Sequence, residues 1–210
     1  MIVKLLTSTQ RIHDMENFAA LAALTCHDNT GNMDIEGYKP SDTLKNIIKA
    51  GHESILEHIN LTFKIEGLSR ACLQELARHR HISLSVESTR HTLKKKINDD
   101  EFIDYLLNED NRFNLSEKVH DSTRMSVLGT VFRVLKDYPD MSDDELKYFL
   151  PECWPTNLII TLNIREFRLI LNLRTAPTAL KEFRVLARSM FHEVPDEFKY
   201  LLQDCVHEEG

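Results

Sequence analysis

Apolar residues along this chain recur with two periods, and the switches between them mark out its elements. Residues 2–7 read as a short strand and MENFAALAALTCHD (15–28) as a first helix. Residues 28–40, with Gly31, Gly37 and Pro40, read as a loop. Ser41 or Asp42 is placed to cap a helix over TLKNIIKA, with Gly51 at its end. HINLTFKIE (58–66) then alternates as a strand. In SRACLQELARHR (69–80) the period returns to 3.6, which puts Leu73, Leu76, Ala77 and Arg80 on one stripe and Arg78 beside Gln74 and Glu75. Beyond His81 the pattern alternates again, with Ile82, Leu84 and Val86 on one face and Ser83, Ser85 and Glu87 on the other. If that stretch stays extended, Ser88 and Arg90 share a face.

Residues 94–114 carry so many charges that they read as an exposed insertion with a short helix, the triple lysine (94–96) being a solvated turn. A long helix is predicted over 115–137. Pro139 separates it from SDDELKYFL, where Ser142 and Glu145 have the spacing of a capping box. After Leu150-Pro151, TNLIITLN (156–163) reads as a strand, followed by helices over Ile164–Leu173, Thr178–His192 and Asp196–Cys205. The expected architecture is α+β: a helix-rich single domain, residues 1–210, around a small and mostly antiparallel sheet.

Composition narrows the function classes. The 210 residues, 42% hydrophobic and 28% charged, are enough for one globular core. A net charge of −7 argues against nonspecific nucleic-acid binding. Cys26, Cys72, Cys153 and Cys205 are scattered without a framework, so reduced thiols are expected. No run approaches the apolar length of a membrane span, and a cytoplasmic protein is expected.

Against this acidic background, Arg78-His79-Arg80 is a local concentration of cationic and imidazole side chains. Ser88 and Arg90 follow it closely. A guanidinium fork suits phosphate or carboxylate, and histidine donates or accepts near neutral pH, so the set suits an anionic ligand bearing a ring. The plain alternative is a group of cations complementing a helix C-terminus. Neither GxGxxG nor a Walker motif is present, so a dinucleotide would have to be held by side chains. His52, Glu53, Glu57 and His58 could suggest a metal, but the histidines are six apart rather than the four of HExxH, and no metal is expected. Ser88 lacks a spaced base and reads as a phosphate or ribose donor rather than a nucleophile. Asn163 and Arg174, eleven residues apart, fall on one stripe of a straight helix, separated by roughly 16 Å of rise.

The sequence resembles the flavin-dependent thymidylate synthases, whose signature is RHR, seven residues, then Ser. GHESILEH (51–58), INLTFKIEG, SRACLQELARHR, Leu150-Pro151, Asn163-x-Arg165 and LNLRT (171–175) occur in that family's order. The likeness is densest over residues 45–95 and 145–190. It implies FAD as cofactor, contacted by Ser54, Arg78, His79, Arg80, Asn163 and Arg165. It implies dUMP as substrate, contacted by Gln74, Glu75, Arg78, Glu87, Ser88, Arg90, Lys147 and Arg174. Arg174 is the implied catalytic residue, favouring ionisation of the uracil ring. Methylenetetrahydrofolate as carbon donor, NADPH as reductant and a homotetramer with shared active sites are further implications. The chain departs from the family's pattern at several positions: Glu75 stands where Gln is common, Val86 where Glu or Gln is usual, and Lys147 where Arg is typical. Leu169 takes a position often held by Asn. Two other readings of the same residues are a nucleotide binder without turnover and a nucleic-acid module.

Overall fold

The computed structural model describes residues 1–26, 39–107 and 121–208. The loop expected at 28–40 lies almost wholly outside them, as do residues 108–120. Strand β1 (Ile2–Leu5) is followed by helix α1 (Thr9–Thr25), which starts earlier than the hydrophobic run suggested because Ser8 caps it, its side chain accepting from the Arg11 N–H. Helix α2 (Pro40–Lys49) also begins earlier: proline takes the first turn, Lys39 is the N-cap, and Ser41 and Asp42 lie inside the helix rather than capping it. Gly51 follows α2 with φ +72, the left-handed conformation that favours glycine at a helix end. A 3-10 turn (Glu53–His58) leads into β2 (Asn60–Ser69) and α3 (Arg70–Leu76).

The remaining elements are β3 (Ile82–Val86), α4 (Thr89–Ile97), α5 (Asp100–Leu107), α6 (Asp121–Asp137), α7 (Asp143–Leu146), β4 (Pro155–Asn163), α8 (Ile164–Arg174) and α9 (Lys181–Glu193). The C-terminal segment expected as one helix is two 3-10 turns, Asp196–Leu201 and Gln203–Cys205. The α+β class is borne out, with an antiparallel four-stranded sheet in the order β1-β2-β4-β3. Ile164 N–H donates to the Ile59 carbonyl and Arg70 N–H to that of Trp154, so β2 and β4 run in opposite senses. Leu61, Phe63 and Ile65 of β2 and Leu158, Ile160 and Leu162 of β4 are buried, as alternation requires.

The chain divides into two compact units: residues 1–65, 75–85 and 159–210 form one, and residues 66–74 and 86–158 the other. The first is built on β-strand and α8 side chains. Phe63 and Phe167 meet edge to face at 5.7 Å, and Phe183, Leu186 and Met190 of α9 are fully buried. In the second, Leu93 and Ile97 of α4 are buried together with Leu128, Val131, Leu146 and Trp154. That apolar pair, four residues apart, is why residues 89–97 form a helix rather than the extended segment and solvated turn expected there. The capping box before α7 is present in both directions between Ser142 and Glu145.

The motif helix is shorter than its periodicity suggested. After Leu76 the chain tightens, the Arg78 N–H donating to Glu75 and the His79 N–H to Leu76, three residues back in each case. The buried stripe is therefore Cys72, Leu76 and His79, while Ala77 and Arg80 are exposed.

Candidate active site

Within the first unit, the tightening after Leu76 turns His79 inward, only 7% exposed. Its Nδ1 lies 2.9 Å from Glu166 Oε1, and its Nε2 accepts from Arg174 Nε at 3.2 Å. Glu166 is buried at the start of α8, where Asn163, the N-cap, accepts from its backbone N–H at 2.8 Å. Arg174 is the last residue of the same helix. Its Nη1 donates to Glu75 Oε2 at 3.2 Å, and its guanidinium sits 4.8 Å above the Phe183 ring. Arg78 stands beside Glu75 at 3.5 Å, with most of its side chain in solvent. The result is a chain of charge running Glu166, His79, Arg174, Glu75, Arg78.

Burial holds His79 below the ordinary histidine value; the hydrogen bond to Glu166 opposes this, and Arg174 and Arg78 reinforce it. The ring is therefore neutral at physiological pH. An Arg Nε–H only donates, so Nε2 must present its lone pair and Nδ1 must carry the hydrogen toward Glu166. Among the described residues, Arg174 Nη2 makes no hydrogen bond. One edge of a fixed, half-buried cation is thus unspent.

A cavity of about 520 Å³ lies along α8, lined by Glu53, Glu57, His81, Asn163, Arg165, Glu166, Arg168, Leu169, Asn172 and Cys205. Arg165 pairs with Glu57 at 2.6 Å, both well exposed. Arg168 is the buried anchor of this wall. It donates to Glu53 at 2.9 Å, to both Asp204 oxygens at 2.7 Å, and to the Leu201 carbonyl at 2.7 Å. Burial works against its charge, but Asp204 and Glu53 more than compensate and hold it above the ordinary arginine value. Burial pushes the Cys205 thiol up to about 11, so the sulfur at the cavity wall stays protonated and inert. Ser54 is exposed on the 3-10 turn that supplies Glu53 and Glu57, and does not line the cavity.

In the second unit, Ser88 is the N-cap of α4, yet its side chain makes no capping bond. Ser88 and Arg90 therefore belong to a helix start, not to one face of a strand. Arg90 forks onto Asp144 at 2.6 and 2.9 Å, and Lys147 approaches the same carboxylate at 3.6 Å. The Arg90 fork holds Asp144 below the usual carboxylate range. Glu87 accepts from Lys96 at 2.7 Å, Asn157 at 2.8 Å and Thr92 at 3.0 Å. Gln74 donates to both oxygens of Glu152 at 2.9 Å. Arg80 forms no ion pair among the described residues.

Most of the expected residues thus fall into three groups. His79, Arg174, Glu75 and Arg78 are brought together, and Asn163 and Arg165 share the cavity wall. Ser88, Arg90 and Lys147 gather at the start of α4. Glu166, Arg168 and Asp144 escaped the sequence reading, and Glu53 entered it only within a rejected metal cluster. Only Glu166 carried a signal, since Asn163 followed three residues later by Glu has capping-box spacing. That signal points to the wrong role: the Glu166 carboxylate goes to His79.

Comparison with known proteins agrees with this geometry. Residues 4–198 match the family model described as thymidylate synthase complementing protein. The flavin-dependent thymidylate synthase of Campylobacter jejuni strain RM1221 is 37% identical over 205 residues, covering 96% of this chain and 98% of that protein. Its counterpart in Helicobacter pylori strain J99 is 38% identical over 202 residues, covering 90% and 94%. A crystal structure of the Helicobacter pylori flavin-dependent thymidylate synthase complexed with FAD and dUMP superposes with a TM-score of 0.80 at 32% identity, covering 99% of this chain and all of the other. The chain belongs to the thymidylate synthase complementing protein family.

Proposed function

We propose that this chain is an FAD-dependent thymidylate synthase converting dUMP to dTMP, with methylenetetrahydrofolate as carbon donor and NADPH as reductant. The observation that carries the reading is the half-buried Arg174, gripped by His79, Glu75 and Phe183 with one donor edge unspent. Set against a uracil ring, that cation stabilises the anion formed when a ring nitrogen loses its proton. The developing charge makes the ring carbon nucleophilic, and the cation needs no reorganisation as it does so.

The residues present fit a flavin. A cavity of about 520 Å³ with an amide, guanidinium and imidazole rim is of ligand size, while a whole dinucleotide is larger and needs further contacts outside it. Asn163 and Arg165 would hold the cofactor from this rim, Ser54 would meet it from the exposed 3-10 turn outside the cavity, and the exposed Arg78 and Arg80 would meet its phosphates. His79 belongs to the same motif, but both its ring nitrogens are engaged by Glu166 and Arg174, which favours a supporting role. When bound, the flavin supplies the reducing hydride.

For the dUMP phosphate, Ser88 offers an uncapped hydroxyl at the start of α4, where backbone N–H groups and the helix dipole favour an anion. Arg90 and Lys147 add charge beside it, with Gln74, Glu75 and Glu87 as further proposed nucleotide contacts. A homotetramer with active sites shared between subunits accords with the exposure of Arg78 and Arg80.

The test is incubation of the purified protein with FAD, dUMP, methylenetetrahydrofolate and NADPH, with nucleotides resolved by chromatography. dTMP formation that requires all four is expected. A colourless protein that takes up no flavin and forms no dTMP refutes the reading.

A further inference from the structure

The proposed chemistry turns on Arg174, yet nothing in its own helix fixes where its guanidinium points. Glu166 lies about two turns earlier on α8 and reaches Arg174 only through His79. We infer that Glu166 is a positioning residue: its carboxylate keeps the hydrogen of His79 on Nδ1, leaving Nε2 as the acceptor that aims the Arg174 guanidinium. The inference rests on the reading of Arg174 as the group that polarises uracil.

The geometry allows one tautomer. With the hydrogen on Nε2, two donors would face each other across the 3.2 Å to Arg174 Nε, and two lone pairs would face each other across the 2.9 Å to Glu166. Both contacts would fail together. With hydrogens on both nitrogens, an imidazolium would press against the guanidinium. A carboxylate on Nδ1 therefore selects the neutral form that receives Arg174, as an outer carboxylate orients a working histidine elsewhere in protein chemistry.

Glu166 is well placed to impose this. Its side chain is 5% exposed, its backbone N–H is held by Asn163, and its charge sits in the first turn of α8, where the helix dipole favours it. Phe183 backs both partners, its ring 5.9 Å from that of His79 and 4.8 Å from the Arg174 guanidinium carbon. The ring can then neither slide nor turn without losing a contact.

Two substitutions separate positioning from packing. In Glu166→Gln the side-chain carbonyl still accepts from Nδ1–H, whereas in Glu166→Leu nothing does. Protein labelled with ¹⁵N-histidine is examined by solid-state NMR, with the His79 signals assigned by their loss in His79→Gln. The wild type and Glu166→Gln should show the hydrogen on Nδ1. Glu166→Leu should lose that preference, and its kcat for dTMP should fall by about 10- to 100-fold with its flavin spectrum unchanged. Glu166→Gln should retain kcat within about tenfold, since a neutral acceptor makes the weaker bond.

A wild-type His79 with its hydrogen on Nε2 overturns the inference, and so does a folded Glu166→Leu with wild-type kcat. Equal impairment of both variants with Nδ1–H retained assigns Glu166 a structural role only. If Glu166→Leu does not fold, the tautomers of the wild type and Glu166→Gln decide. A wild-type protein that makes no dTMP defeats the reading of Arg174, and the NMR result still separates that failure from an error in the Glu166–His79 geometry.

Discussion

Replacing Arg168 with methionine keeps most of the side-chain volume and removes four donated hydrogen bonds, to Glu53, Leu201 and twice to Asp204. The Arg168 side chain is 7% exposed, so water does not take its place. Removing one partner of a fully buried ion pair costs about 3–5 kcal/mol. Asp204 is half exposed and Glu53 one-third exposed, so both recover part of their hydration and their share falls toward the surface scale of about 0–1 kcal/mol. The carbonyl of the fully buried Leu201 does not recover, at about 1–3 kcal/mol. The expected loss is about 2–4 kcal/mol, or roughly 5–15 °C in melting temperature for a chain of this length. Thermal denaturation followed by circular dichroism, at one fixed protein concentration and without FAD, measures it. Arg168→Lys should fall between the two, because it keeps charge and loses the fork. A methionine variant melting within about 1 °C of wild type would show that Arg168 does not anchor the cavity wall.

Arg90→Lys should raise the KM for dUMP by roughly tenfold while leaving kcat and melting temperature nearly unchanged, since the Arg90–Asp144 pair is exposed and its contribution to the fold small; steady-state kinetics and a melt check this together. His79 is neutral and depressed in the folded protein, facing Glu166 and Arg174 with Arg78 near, whereas in the unfolded chain it titrates near 6.5. Its contribution to stability is full above that pH and is lost progressively as pH falls below it. Urea denaturation between pH 7.5 and 5.5, read as the difference between wild type and His79→Gln, should show that slope only in the wild type. Asp204, depressed chiefly by Arg168, adds a loss as pH falls through the ordinary carboxylate range, and Arg168→Met should reduce it in the same urea series extended to acid pH.

The strands and the last long helices were legible because β2, β4 and α8 bury one face each, and burial imposes the period that sequence displays. The motif itself was legible as chemistry and misread as geometry. Periodicity put Arg80 on the buried stripe, but three-residue hydrogen bonds after Leu76 rotate the chain by part of a turn, and His79 takes that place. The start of α4 was hidden for a related reason: its apolar residues, Leu93 and Ile97, sit within a run of lysines, and only packing against Leu128, Val131 and Trp154 gives them a face. Arg174 could be singled out from its helix and resemblance, but its holders Glu75 and His79 are distant in sequence. Pairing of that kind is a property of the folded chain. Asp144 and Arg168 lacked any motif for the same reason.

The central claim is that a cation fixed at Arg174 activates the uracil ring for methylation. Release of tritium from dUMP labelled at the ring carbon that receives the methyl group reports this directly, because methylation displaces that hydrogen. The wild-type protein with FAD, methylenetetrahydrofolate and NADPH should release label in step with dTMP, and Arg174→Ala should release it about 100-fold more slowly while keeping its flavin spectrum. Equal release from both proteins, or none from the wild type, would contradict the account.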